Sequence, residues 1–372
     1  MYLALREMRF AKTRYSMIVI IMLLVSFLVL FVTGLAQGLS YANAASIKNM
    51  DANYFVLQQD SDHRFGRSQV SDTELQASRS VVGKSNATAL NIRMATITED
   101  SESLKSDVTL FAIDMKDWLA PNVVEGQTIT NESSGQVLVD MKLKESGIEL
   151  GSIVTDQMTG STWKVSGFVD NESYSHTPTI FMNEKDWLQL QALMPASGTD
   201  SDGQLYNTIA VKADSSQAAQ LQSEMPNTEV ISKSDAVSAV PGYKEEQGSL
   251  LMMIAFLFVI SALVLAVFFY VITIQKTSQF GVLKAIGTKT SYLVRNVMGQ
   301  VLLLSVGSLI ISLILIQIII SILPASMPFQ LDLSTMILVC VLFIAMSLIG
   351  SLLSVVKVAR TDALDAIGRA SA

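Results

Sequence analysis

Side chains with reactive or soft-donor chemistry are scarce in this chain of 372 residues: two histidines, His63 and His176, and one cysteine, Cys340. A single thiol cannot form an intramolecular disulfide, pair for redox work or build a thiolate-cluster zinc or iron–sulfur site, and two histidines exclude a histidine-rich metal site. Neither histidine belongs to an H-E-x-x-H pattern or lies near a nucleophile, and there is no G-x-S-x-G turn, so hydrolytic or transfer chemistry has no visible carrier. The phosphate-cradling G-x-x-x-x-G-K-[ST] loop is absent too: Gly281, Gly287 and Lys289 come nearest, but at the wrong spacing. No catalytic residues and no intrinsic cofactor are therefore expected. Any work done with ATP would need a partner subunit to hold the nucleotide.

The elements that would position these residues follow from composition. Half of the chain is apolar and only 16% is charged, against about 25% charged in ordinary soluble domains. The apolar residues are bunched into four runs, 16–37, 249–275, 296–323 and 333–356. Each reaches the roughly 20 residues that a helix rising 1.5 Å per residue needs to cross ~30 Å of hydrocarbon. Pro324 and Pro328 mark a short loop, 324–332, between the third and fourth. A cleavable signal would fit the basic residues before the first run and the small residues Ala42-Asn43-Ala44 after it. Signal cores are shorter, typically 7–15 residues, so a retained anchor is the expectation.

Orientation follows the lysine and arginine bias. The segments 1–15, 275–295 and 357–372 carry eleven basic residues and only Glu7, Asp362 and Asp365 as acids. The region 38–248 holds 15 basic and 29 acidic residues. Both termini are expected in the cytoplasm of a cell-membrane protein, with 38–248 outside. That outer region is long enough for its own core and reads as α+β. Strand-like runs recur at Tyr54–Leu57, Leu90–Ile97, Val108–Ala112, Val137–Val139, Trp163–Val169, Thr179–Met182, Thr208–Val211 and Thr228–Ile231. A helix over Ser215–Met225, capped by Asp214 or Ser215, would join the last two as a βαβ-like unit. Alternation at Trp163, Val165 and Gly167 reads as packing.

Two cytoplasmic stretches stand out. Residues 1–15 set Arg6, Arg9 and Lys12 against Leu5, Met8 and Ala11, the pattern of a helix lying on a membrane surface. In 276–295, Phe280 and Leu283 share one helical face, with Val282 and Ile286 beside it, and Gly287 can end the helix in a left-handed conformation. Such a helix either tucks against the bilayer or docks into a groove of a partner.

The stretch Phe280-Gly281-Val282-Leu283-Lys284-Ala285-Ile286-Gly287 after the second span resembles the MacB/FtsX type of ABC transporter permease. Leu35-Ala36-Gln37-Gly38-Leu39, Phe269–Lys276, Met327-Pro328-Phe329 and Asp365-Ala366-Ile367-Gly368 bring the chain nearer to the heme-exporter permeases of that type. The resemblance spans the whole chain and is densest in the membrane half. It implies four transmembrane helices with a large extracellular α+β domain between the first two. It also implies a second permease copy and two copies of an ABC ATPase, with Phe280, Gly281, Val282, Leu283, Lys284, Ile286 and Gly287 receiving the push that tilts spans one and two. Heme or hemin would be the substrate, and its iron needs an axial donor. The resemblance carries over to Tyr174 and Tyr243; His176, in the same polar loop as Tyr174, is a further candidate. Met22, Met252 and Met253 read as lipid or helix contacts. The acidic outer domain is not suited to heme propionates, and nucleic acid is not an expected partner. An exporter of antimicrobial peptide or lipid, and an FtsX-like regulator of a cell-wall hydrolase that moves no substrate, remain as alternatives.

Overall fold

The computed structural model describes residues 12–99, 102–194, 204–324 and 327–359. Most of the N-terminal surface helix expected over 1–15, most of the basic tail 357–372 and the Asp365–Gly368 motif lie outside these residues. The chain divides into two compact units, one made of the segments 1–38 and 248–372, the other of Leu39–Gln247.

The first unit is a helical bundle. Among the described residues, four helices are long and apolar enough to cross a membrane: α1 (Lys12–Asn43), α8 (Tyr243–Gln275), α10 (Thr290–Ile320) and α11 (Leu333–Ala359). Helices satisfy every backbone group within the segment, which hydrocarbon demands. Met22, Val29 and Leu30 of α1 pack with Leu265 and Phe269 of α8, Leu304 and Leu309 of α10, and Phe343 of α11. Small polar residues bring the helices close. Ser26 and Ser312 place their hydroxyls 2.6 Å apart across α1 and α10, Ser312 also donates to the Leu23 carbonyl at 3.1 Å, and Gly350 of α11 rests on Ala266 of α8.

Two stretches far apart in sequence meet in this unit. Gly34 and Gly38 form a notch on α1 that receives Pro328 and Phe329: a methyl on Gly38 would lie 2.2 Å from the Pro328 carbonyl oxygen. The Gln330 amide donates to the Gly34 carbonyl at 3.1 Å, and Gln37 bonds to Asp332.

The second unit is α+β. In chain order it contains α2 (Ala45–Asn49), β1 (Tyr54–Gln58), β2 (Val70–Ser71), α3 (Asp72–Val82), β3 (Ala87–Glu99), β4 (Glu102–Ile113), β5 (Val123–Gly126), β6 (Gln136–Asp140) and α4 (Lys142–Glu145). There follow β7 (Ile153–Asp156), β8 (Thr162–Val169), β9 (Ser173–Tyr174), β10 (Thr177–Asn183), α5 (Glu184–Ala192), β11 (Leu205–Tyr206), β12 (Thr208–Val211), α6 (Ser215–Glu224), β13 (Thr228–Ser232) and α7 (Lys233–Ser238). The main sheet runs β13-β1-β12-β3-β4-β10-β6-β8-β5, and β7 bridges β3 and β8. Pairing therefore closes on itself through β3, β4, β10, β6, β8 and β7. Val108, Leu110, Val137, Val139, Val154, Trp163, Val165 and Ile180 form the core of this ring. The Trp163 and Val165 alternation is packing, as its period requires.

The βαβ-like unit is present in split form. Both β12 and β13 run antiparallel to β1, which lies between them. Helix α6 joins them, and its N-terminus carries a reciprocal capping box of Asp214 and Gln217. Helix α3 has the same device from Ser71 and Glu74.

The Gly38 notch yields the first test. Gly38→Ala is expected to lower the thermal midpoint of the detergent-solubilised full chain by several degrees, because the methyl meets backbone. Gly299→Ala, whose added methyl meets nothing within 4 Å, should leave it unchanged or raise it, since alanine favours a helix by about 1 kcal/mol over glycine.

Candidate functional site

The segment after α8 is built by local rules. Helix α9 (Thr277–Ala285) stops at Gly287, whose φ is 92°. The Thr288 amide donates to the Leu283 carbonyl at 3.0 Å and the Gly287 amide to that of Lys284 at 2.9 Å, a Schellman pair. The helix is two-faced. Phe280 and Gly281 are buried, and Leu283 and Lys284 are half-buried, with Phe280 and Leu283 packed on the bundle. Val282 and Ile286, one turn apart, are 52% and 77% exposed. The apolar surface open to a partner is thus Val282 and Ile286, whereas Phe280 and Leu283 are committed to the bundle.

At the head of α9, Lys276 is only 3% exposed. Its ammonium donates to the Tyr15 hydroxyl at 2.9 Å and to the Gln300 side-chain oxygen at 3.0 Å, and Tyr15 donates to the same oxygen at 3.1 Å. This contact links α1, the α8–α9 junction and α10. No local pattern marks this contact, because a lone lysine at the end of an apolar run has the look of a boundary charge.

In the α+β unit, the structure brings the Tyr174–His176 turn to Pro241 and to Glu246 in the first turn of α8. The His176 Nε2 lies 2.8 Å from the Glu246 Oε2, which also accepts from the Asn43 side chain at 2.5 Å. The Ser175 amide donates to the Asn43 carbonyl at 2.7 Å and its hydroxyl to the Pro241 carbonyl at 3.3 Å. Tyr174 is 5% exposed, with its ring edge-on to Phe111 at 6.0 Å. Burial pushes its hydroxyl well above the ordinary tyrosine range, against a smaller opposing effect of the Arg64 charge. Tyr243 is half-buried: its hydroxyl accepts from Gln247 at 3.1 Å and is 3.5 Å from the Ser40 hydroxyl, and the Lys48 ammonium stands 5.0 Å above its ring. The two tyrosines therefore occupy different settings, one in the core and one beside α1.

Tyr174 lines a cavity of about 210 Å³ together with Arg64, Arg67, Ile92, Arg93 and Pro241. A larger cleft of about 570 Å³ is lined by Asn49, Asp51, Trp118, Asp170, Glu172 and Phe181. Burial raises the Glu172 carboxyl from its ordinary 4.5 to about 7; hydrogen bonds from Asn49 and Ser46 oppose this, and the Asp140 and Asp170 charges add to it. Among the described residues, no group of histidine, cysteine and carboxylates is arranged to hold a metal ion.

Four spanning helices, an α+β insertion between the first two and a two-faced helix after the second define a membrane permease subunit. Residues 251–363 match the family model described as FtsX-like permease C-terminal. Over 368 residues, covering 99% of both chains, the sequence is 30% identical to a Staphylococcus haemolyticus protein whose assigned name is hemin transport system permease protein HrtB. A Staphylococcus epidermidis protein of the same name is 31% identical over the same share of both chains. Among solved structures, the periplasmic region of MacB from Actinobacillus actinomycetemcomitans aligns at 13% identity and a TM-score of 0.36, covering 50% of this chain and 90% of that one. The chain belongs to the FtsX-like permeases, in the group of the HrtB proteins.

Glu172 supplies a pH test. Its folded-state proton is held more tightly than in the unfolded chain, so the stability it contributes is full below about pH 4.5 and is lost as pH rises through about 7. Glu172→Gln should leave the thermal midpoint of the full chain unchanged near pH 4.5 and raise it at pH 8. The gain is on the order of 1 kcal/mol, because the half-buried carboxyl keeps some solvent contact.

Proposed function

We propose that the chain is the permease subunit of an ATP-driven efflux system that exports hemin by transmitting force from a separate ATPase. The observation that carries the mechanical half is the division of α9. One face is held by Phe280 and by Lys276 at its head, and the other leaves Val282 and Ile286 exposed. An ATPase groove would take that exposed pair, and nucleotide-driven closure would push α9 against the bundle. Two ATPase copies would serve two permease copies, with both termini in the cytoplasm and the α+β domain outside.

The spans have no charge in their middle, so an ion relay or polar tunnel through hydrocarbon is not part of this scheme. An apolar macrocycle would instead be collected from the membrane's outer side. Near-full-length identity to the HrtB proteins supports hemin as the substrate. Tyr243, half-buried under the Lys48 ammonium, and Tyr174, facing a cavity, are the proposed contacts, with His176 held by Glu246 as an orienting neighbour.

Two measurements test the halves separately. Val282→Asp with Ile286→Asp should release the ATPase in a pull-down while leaving the permease folded; retained binding would reject the docking face. Loss of the gene should sensitise cells to hemin and not to peptide antibiotics. Unchanged hemin tolerance would reject hemin efflux and leave a peptide exporter or a regulator of a cell-wall hydrolase.

A further inference from the structure

The six described non-glycine residues with positive φ fall in just two loops: Asp60, Asp62 and His63, at 54–66°, and Asn171, Ser175 and His176, at 51–63°. A left-handed conformation costs an L-residue on the order of 1 kcal/mol, and such positions gather where surrounding structure holds a functional shape. The first loop runs directly into Arg64 and Arg67, and the second flanks Tyr174; these residues line the same 210 Å³ cavity.

Three guanidinium groups meet there in a domain that is otherwise acidic. Arg67 pairs with Asp62 at 2.8 Å, and Arg93 places its Nη2 3.1 Å from both oxygens of the buried Asp156. Donor capacity is left over. Arg64 forms no ion pair with any described residue, and the buried Nη1 of Arg93 has no hydrogen-bond partner. Ile92 and Pro241 supply apolar wall beside the Tyr174 phenol.

We infer that this cavity binds the carboxylate end of an amphipathic ligand, with Arg64 and Arg67 as its anion contacts and Arg93 as a fixed donor behind them. Its volume is below the ~300–1,000 Å³ of pockets that enclose a whole small molecule, so it takes one edge of a larger ligand. Planar guanidinium forks match carboxylates bidentately, which makes the ligand's acid groups the recognised feature. The inference rests on the hemin reading above and deepens it: the recognised groups are porphyrin propionates, and Tyr174 lies where the ring edge would enter.

The test compares hemin with hemin dimethyl ester, titrated by Soret absorbance into the detergent-solubilised full chain. Wild type should bind hemin about tenfold more tightly than the ester, the worth of one charge-assisted pair. Arg64→Gln with Arg67→Gln should remove that difference without changing ester affinity, and Arg64→Lys with Arg67→Lys should restore part of it. Both side chains are exposed, so the fold is not at risk. Equal binding of hemin and ester by wild type, or unchanged hemin affinity in the double Gln variant, overturns the carboxylate site alone. Failure of wild type to bind either compound overturns it together with the hemin reading.

Discussion

The buried ammonium of Lys276 is the contact on which the working arrangement of the bundle depends. It sits where α8 ends and α9 begins, and it bonds to Tyr15 of α1 and Gln300 of α10. A charge 3% exposed at the edge of an apolar bundle is tolerated only when its donors are satisfied. Satisfying them draws three helices to one point. The register of α9 then follows: Phe280, one turn on, enters the bundle, and Val282 and Ile286 face away from it.

The bundle itself is held by small and polar residues rather than by apolar burial, since lipid tails are as apolar as the helices. The Ser26 and Ser312 contact and the Gly34–Gly38 notch are places where small residues let neighbouring segments lie close together. In the notch, absence of a side chain on α1 is what lets the Pro328–Phe329 loop lie against it. The two motifs are some 290 residues apart in the chain.

The α+β unit follows the other solvent's rules. Closing six strands into a ring removes most of their edges and gives an enclosed apolar core. Loops at its margins are then free to carry strained residues, and these place the arginines and Tyr174 around one cavity. The whole-chain and domain charges are both negative, yet charge is arranged locally.

Membrane periodicity, the α+β character of the insertion, the capped helix after Val211 and the glycine that ends α9 were all legible in the sequence. Each depends on spacing within a few turns, where backbone geometry and solvent preference act locally. Which face of α9 is free, the meeting of Lys276 with Tyr15 and Gln300, the seating of Pro328 on Gly38, and the gathering of Arg64, Arg67 and Arg93 around Tyr174 were decided only by the tertiary structure. These contacts join residues dozens to hundreds of positions apart, and their energy exists only once helices pack and strands close, so no local pattern records them.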